Sequence, residues 1–253
     1  MSFFDVAADA YDRFMGRYSV RLSPQLADLA DVRAGQRVVD VGCGPGALTA
    51  ELVTRLGAGS VAAADPSEPF VAAARTRHPG VDIRHAPAEA LPFADDTFDA
   101  ALAQLVVHFM ADPVAGLREM ARVTRPGGIV AASVWDHAGD GGPLAAFWDA
   151  AHDQDPTIAD EGDVAGAREG HLATLFEAAG ARDIRSTVEV ADLEHPTFEA
   201  WWEPFTLGVG PAGAHVAGLS PEARADLRER CRARLGDGPF TIRARAWAAR
   251  GLA

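Results

Sequence analysis

Between Val38 and Thr49 the chain reads Val-Val-Asp-Val-Gly-Cys-Gly-Pro-Gly-Ala-Leu-Thr. A short apolar strand runs directly into glycines at alternate positions, Gly42, Gly44 and Gly46. Leu48, Leu52, Val53 and Leu56 then recur at helical spacing. Glycine tolerates left-handed backbone and lets the chain approach a ligand with no Cβ in the way. A helix that starts there offers unpaired amides to an anionic group such as a carboxylate. Strand, glycine loop and helix in this order make the first unit of a parallel α/β sheet.

The same alternation continues. Leu22, Leu26 and Leu29 form a helical stripe ahead of the loop. Further strands are expected at Ser60–Ala64, Val81–His85, Phe98–Leu102 and Ile129–Val134, with helices around Phe70–Ala74 and Val114–Ala121. Arg125-Pro-Gly-Gly128 reads as a turn. In the second half, Pro143–His152 looks helical, and Leu172, Leu175 and Phe176 mark a helix stopped by Gly180. Arg182–Val190 and Phe240–Trp247 read as strands. Between them lie an aromatic segment, Phe198–Phe205, and a helix Pro221–Leu235 with Ser220 as N-cap.

The expected fold is therefore α/β, a doubly wound, mainly parallel, seven-stranded Rossmann-like sheet. It ends in an antiparallel edge pair and carries helical insertions that form a small cap. Residues 1–136 make the cofactor-binding core and 137–253 the remainder of the same domain, with insertions near 138–169 and 196–236. Ligands in such sheets bind beyond the carboxyl ends of the strands, which selects the loops after Val41, Ala64, His85 and Leu102.

Charge narrows the ligand. Acidic residues outnumber basic ones, 36 to 23. That field repels phosphate backbones, so no nucleic-acid partner is expected. Cys43 and Cys231 lie far apart, so no disulfide framework or metal site is expected. No apolar run approaches the roughly 20 residues of a membrane span. The opening from Met1 lacks a leader pattern, so no membrane partner and a cytoplasmic location are expected, as a monomer or homodimer.

Gly42, Gly44 and Ala47 formally fit a dinucleotide fingerprint. Asp40 argues against it, because its carboxylate stands where a pyrophosphate would lie, and instead attracts an ammonium or sulfonium. Asp65 closes the second strand, where a carboxylate accepts both hydroxyls of a ribose; capping of the following helix is the other reading.

Four blocks carry a family resemblance: Val38–Thr49, Ala62–Val71, Ala88–Ala101 and Arg118–Gly128. Their order and spacing, from about Asp5 to Asp136, resemble the class I S-adenosylmethionine-dependent methyltransferases, especially the ubiquinone/menaquinone-biosynthesis-like type 11 group. The resemblance implies S-adenosyl-L-methionine as cofactor, S-adenosyl-L-homocysteine as product and a small-molecule acceptor. It implies that Asp40, Gly42, Cys43, Gly44 and Gly46 hold the methionine end, Asp65 the ribose, and Pro66 the apolar side of the adenine. Ala88 and Glu89 would edge the adenine ring, and Gln104 and Leu105 would lie beside the methionine portion. One departure stands out: Pro87 occupies a position that is often Asp in the family. The stretch from Tyr11 to Tyr18 resembles a flap over the cofactor, where a tyrosine ring suits a sulfonium; an ordinary amphipathic helix is the alternative.

Methyl transfer needs alignment more than a strong catalytic group. His108, after the fourth strand, is the candidate base if one is used, or a structural histidine. Trp135, His137, Trp148, Trp201, Trp202 and Phe205, with His108, are candidates for an apolar or aromatic acceptor pocket, or for packing within the cap. Asp136 is read as orienting an acceptor or capping a turn. The acidic stretch Asp153–Asp163 reads as a solvated loop. Three rivals remain: a nicotinamide-dependent oxidoreductase, a cofactor-binding member of the fold that does not methylate, and a protein or RNA methyltransferase, for which no basic groove is read.

Overall fold

The computed structural model describes residues 8–139 and 141–253. Met1, where no leader pattern is read, and Asp5, where the resemblance begins, lie outside the described residues. A helical run opens the described chain: α1 (Ala8–Tyr11), a π-turn (Asp12–Gly16) and α2 (Arg17–Leu29). Then come β1 (Val38–Val41), α3 (Ala47–Leu56), β2 (Val61–Asp65), α4 (Glu68–Arg77), β3 (Asp82–His85) and β4 (Phe98–Gln104). These are followed by α5 (Pro113–Val123), β5 (Thr124–Trp135), α6 (Ala145–Gln154), α7 (His171–Ala179) and β6 (Arg182–His195). The chain ends with α8 (Phe198–Trp202), α9 (Gly210–Gly218), α10 (Pro221–Leu235) and β7 (Phe240–Leu252).

The strands form one seven-stranded sheet in the order β3-β2-β1-β4-β5-β7-β6. The first five run parallel, while β7 pairs antiparallel with β5 and with β6. The expected architecture is thus observed, antiparallel edge pair included. β1 and β2 are buried along their whole length, because helices cover both faces. Val39, Val41, Ala101 and Ala132 pack with Leu117 and Met120 of α5 and Phe176 of α7. On the other face Val38, Ala100 and Leu102 pack with Leu26 of α2 and with Leu48 and Leu52 of α3. The chain moves outward from β1 to β3 and then returns to β4 on β1's other side, so a crevice opens at the carboxyl ends of β1 and β4.

The expected elements are present, with β6 and β7 each running five residues beyond the expected Val190 and Trp247, and with one physical adjustment. Arg125–Gly128 does bend, but inside β5: Thr124 pairs with Phe98 and Ile129 with Ala100, so the turn is an excursion within the ladder. The insertions make a separate small core. Phe147 stacks on Phe205 at 4.6 Å, and Trp201 and Trp202 pack beside them with Leu227 and Cys231. At the start of α10 the Ser220 hydroxyl accepts the Ala223 N–H at 3.2 Å. Ser220→Ala should therefore cost about 1 kcal/mol of stability, measured by urea denaturation; an unchanged midpoint would show that this cap adds nothing.

Candidate active site

The crevice is a cavity whose floor comes from the loops after β1, β2, β4 and β5, and whose roof comes from the opening helices and the cap. Each glycine of the first loop has its own reason. Gly42 has φ +71°, and a Cβ there would lie 2.5 Å from the methyls of Val106. Gly46 has φ +104°, and a Cβ would meet the His78 ring at 2.5 Å. Gly44 differs: at φ +53°, a Cβ would meet no atom within 4 Å, so its backbone borders open cavity. The loop is held to β2 by Gly42 and Cys43, whose N–H groups both donate to the Ala64 carbonyl, at 2.7 and 3.1 Å. Cys43 is buried, and burial raises its thiol well above the usual range, so it sits there as an apolar group.

Two buried carboxylates face this space. Asp40 accepts the Thr49 hydroxyl at 2.6 Å. Burial, with Asp65 nearby, pushes the Asp40 carboxyl up to about 7. Asp65 accepts N–H groups from Gly44 and from Ser67, both at 2.8 Å, and burial raises its pKa as well. Ser67, not Asp65, caps α4 through its hydroxyl, so the helix-cap alternative for Asp65 fails. Gln104 donates its amide to the Ser19 carbonyl at 3.0 Å, and its own Oε1 is buried without a partner. Leu105 follows with φ +60°, a left-handed conformation that a branched side chain adopts at a cost of roughly 1–3 kcal/mol. Asp40, Asp65 and Gln104 thus present acceptors to the cavity.

Of the residues singled out in the sequence, Tyr11, Asp40, Gly42, Cys43, Gly44, Asp65, Pro66, Gln104, Leu105, His108, Trp135 and His137 line the cavity. The others do not. Gly46 shapes the loop from behind. Tyr18 is buried beneath, its hydroxyl 3.2 Å from His195 Nε2 and its ring edge-on to Trp135 at 6.0 Å, so it supports the wall and is not a flap over the cofactor. Ala88 and Glu89 stand off the cavity, because the Glu89 carboxylate is taken up by the N–H groups of Ala111 and Asp112, at 2.7 and 3.2 Å. Trp201, Trp202 and Phe205 are interior to the cap, since packing against one another buries more apolar surface than facing a wet cavity. Asp136 is a structural anchor, bound by Arg245 at 2.6 Å and Trp247 Nε1 at 3.1 Å.

The far end of the cavity was only partly legible. Leu144 and the segment Val209–Ala212, at the start of α9, close it. Glu161 sits there too, although its stretch reads as solvated. It is 5% exposed, because Trp148 Nε1 donates to its Oε2 at 3.1 Å and draws it inward. Its Oε1 lies 3.9 Å from His137 Nε2. Burial pushes Glu161 up to about 7 and His137 down to about 4. His108, 5.9 Å from His137 between ring centroids, is likewise held neutral by burial and by its neighbour.

A crevice at a strand-order reversal, floored by a glycine loop and two strand-end carboxylates, is where a Rossmann-like sheet places its ligand. Residues 39–132 match the type 11 family model described as a methyltransferase domain. The chain is 35% identical over 127 residues to malonyl-[acyl-carrier protein] O-methyltransferase of Erwinia billingiae, covering 50% of this chain and 49% of that one. It is 38% identical over 133 residues to demethylmenaquinone methyltransferase of Clavibacter sepedonicus, covering 49% and 53%. The chain therefore spans about half the length of the curated relatives it matches. A solved structure from Thermotoga maritima, described as an S-adenosylmethionine-dependent methyltransferase and possible histamine N-methyltransferase, superposes with TM-score 0.59 at 18% identity, over 99% of this chain and 98% of that one. That likeness extends the shared fold across the whole chain. Among the described residues no helix is long and apolar enough to cross a membrane.

Proposed function

We propose that this chain is an S-adenosylmethionine-dependent methyltransferase that acts on a small acceptor with an apolar body and a polar head. The observation that carries the reading is the cluster of acceptors at the strand-end side of one cavity: the carboxylates of Asp40 and Asp65 and the unpartnered Oε1 of Gln104. Such a lining suits a ligand that brings a cation and hydroxyl donors, and it repels a diphosphate. The open space beside Gly44 lets a ligand lie against bare backbone. S-adenosylmethionine fits both features, with its ammonium toward Asp40 and Gln104 and its ribose toward Asp65. Pro66 and Phe70, which also line the cavity, give an apolar face for the base.

When bound, the cofactor supplies a methyl group already activated for displacement by its sulfonium. The work left to the chain is binding, alignment and exclusion of water. Tyr11 and Phe14 from the opening helices and Val209–Ala212 from the cap enclose the space from above. Trp135 and Leu144 form an apolar wall, with His108, His137 and Glu161 as the polar corner beside it. The relatives' acceptors, malonyl-[acyl-carrier protein] and demethylmenaquinone by name, differ from each other, so the acceptor here is argued from the cavity alone.

Side-by-side calorimetry tests the reading. S-adenosylmethionine and S-adenosylhomocysteine should bind with one site per chain, while NADH and NADPH should give no heat. Tight nicotinamide binding without S-adenosylmethionine binding would end the proposal. Cofactor affinity with no S-adenosylhomocysteine formed across a panel of phenols, hydroxy acids and amines would favour the non-methylating alternative.

A further inference from the structure

We infer that His108, His137 and Glu161 form a binding site for one divalent transition-metal ion of the zinc type, at the acceptor end of the cavity. One ligand atom from each residue lies within 4.8 Å of the other two. The three come from different places, the turn after β4, the end of β5 and the loop after α6, and only the fold brings them together.

The donor set is the first argument. Two imidazoles and one carboxylate, with room for further ligands, is a combination that suits zinc and its first-row neighbours. The second argument is the state of the donors. The side chains of His137 and Glu161 are 4% and 7% exposed, and His137 Nε2 has no hydrogen-bond partner although Glu161 Oε1 is 3.9 Å away. A buried polar atom left unpaired costs roughly 1–3 kcal/mol, and a cation between the three answers that cost directly. Metal–ligand bonds of about 2.0–2.2 Å put ligand atoms roughly 3–3.5 Å apart, so closure requires side-chain shifts of about 1 Å. The third is the support around the site. Trp148 Nε1 fixes the Glu161 carboxylate through its other oxygen, the kind of outer contact that orients a metal ligand.

Access and openness agree with this. His137 and Glu161 also line a second, polar pocket with His152 and Asp160, which gives a cation a path that avoids the apolar wall. All three ligands also border the main cavity, so the remaining coordination positions face the space assigned to the acceptor. An acceptor bearing an ionisable hydroxyl completes the shell there. That clause rests on the proposed methyl transfer, whereas the metal site itself does not.

The test uses the tag-free full chain, cobalt(II) and zinc(II) chlorides, and no acceptor. Cobalt titration should give visible absorption bands that saturate at one equivalent, and zinc should displace them. His137→Ala and, separately, Glu161→Gln should weaken cobalt binding by at least about a hundredfold, since even an outer-shell partner is worth about ten- to a hundredfold. S-adenosylmethionine affinity, measured by calorimetry on the same samples, should stay within a few-fold and reports that each variant is folded. Wild-type protein that develops no bands, or binds cobalt no better than the two variants, would overturn the site and leave the trio as a buried polar cluster. Loss of S-adenosylmethionine binding in the wild type would instead strike the functional reading, so the two failures are separable.

Discussion

Asp65→Ala weakens S-adenosylmethionine binding by about a hundredfold or more. The carboxylate closes β2 and lines the cavity, and ribose hydroxyls donating to its remaining lone pairs would form charge-assisted hydrogen bonds. Each is worth roughly 1.5–3 kcal/mol, so losing two exceeds the approximately 2.7 kcal/mol that a hundredfold represents. Asp65 also accepts the Gly44 and Ser67 N–H groups, so its removal slackens the glycine loop and adds to the loss. The two contributions separate with 5′-methylthioadenosine, which keeps the ribose but lacks the amino acid. Its affinity should fall in parallel with that of S-adenosylmethionine, while the melting temperature without ligand drops only modestly. If calorimetry finds the Asp65→Ala variant within threefold of wild type for both ligands, the ribose assignment is wrong.

What was legible in the chain before its structure was whatever depends on neighbours in sequence. The βα repeat, the glycine loop and the Ser220 cap are local devices, and periodicity or turn chemistry reveals each of them. Asp40 and Asp65 were legible for the same reason: strand ends in this topology face the crevice. The cap was not. Trp201, Trp202 and Phe205 advertise burial, yet composition cannot tell a pocket wall from a core, and mutual packing won. Helix α9, which roofs the cavity, was hidden by Gly210, Gly213 and Gly218, residues of low helix propensity. Gly213 is needed because a Cβ there would lie 2.7 Å from the Gly208 backbone. Glu161 was hidden by its acidic neighbours; only the tertiary contact from Trp148 turns it inward. The expectation that no metal-ligand set exists came from cysteine spacing, and it could not register two histidines and a glutamate that meet only after folding.

Asp40→Asn should flatten the pH dependence of cofactor binding. In the ligand-free protein burial holds the Asp40 carboxyl at about 7, so near neutrality a large fraction is protonated. A cationic ammonium beside it favours the ionised form, which means that binding releases a proton. Affinity must then rise with pH until Asp40 is ionised in the free protein, and fall as pH drops below that point. Between pH 7.5 and pH 6 a single site titrating near 7 predicts a loss of about eightfold. The sign is the reverse for folding of the ligand-free chain. A carboxyl raised above its unfolded value contributes stability that is present at low pH and is lost as pH climbs from the ordinary carboxylate range through about 7. Asparagine cannot titrate, so the variant should bind S-adenosylmethionine at least about tenfold more weakly at pH 7.5, and its remaining affinity should change little down to pH 6 beyond what Asp65 contributes. 5′-Methylthioadenosine, with no ammonium to meet Asp40, should be nearly indifferent to the substitution. Calorimetry at four pH values on wild type and variant decides this. A wild-type affinity that is flat across the range, or a variant as tight as wild type, would mean that Asp40 only anchors α3 through Thr49 and does not receive the cation.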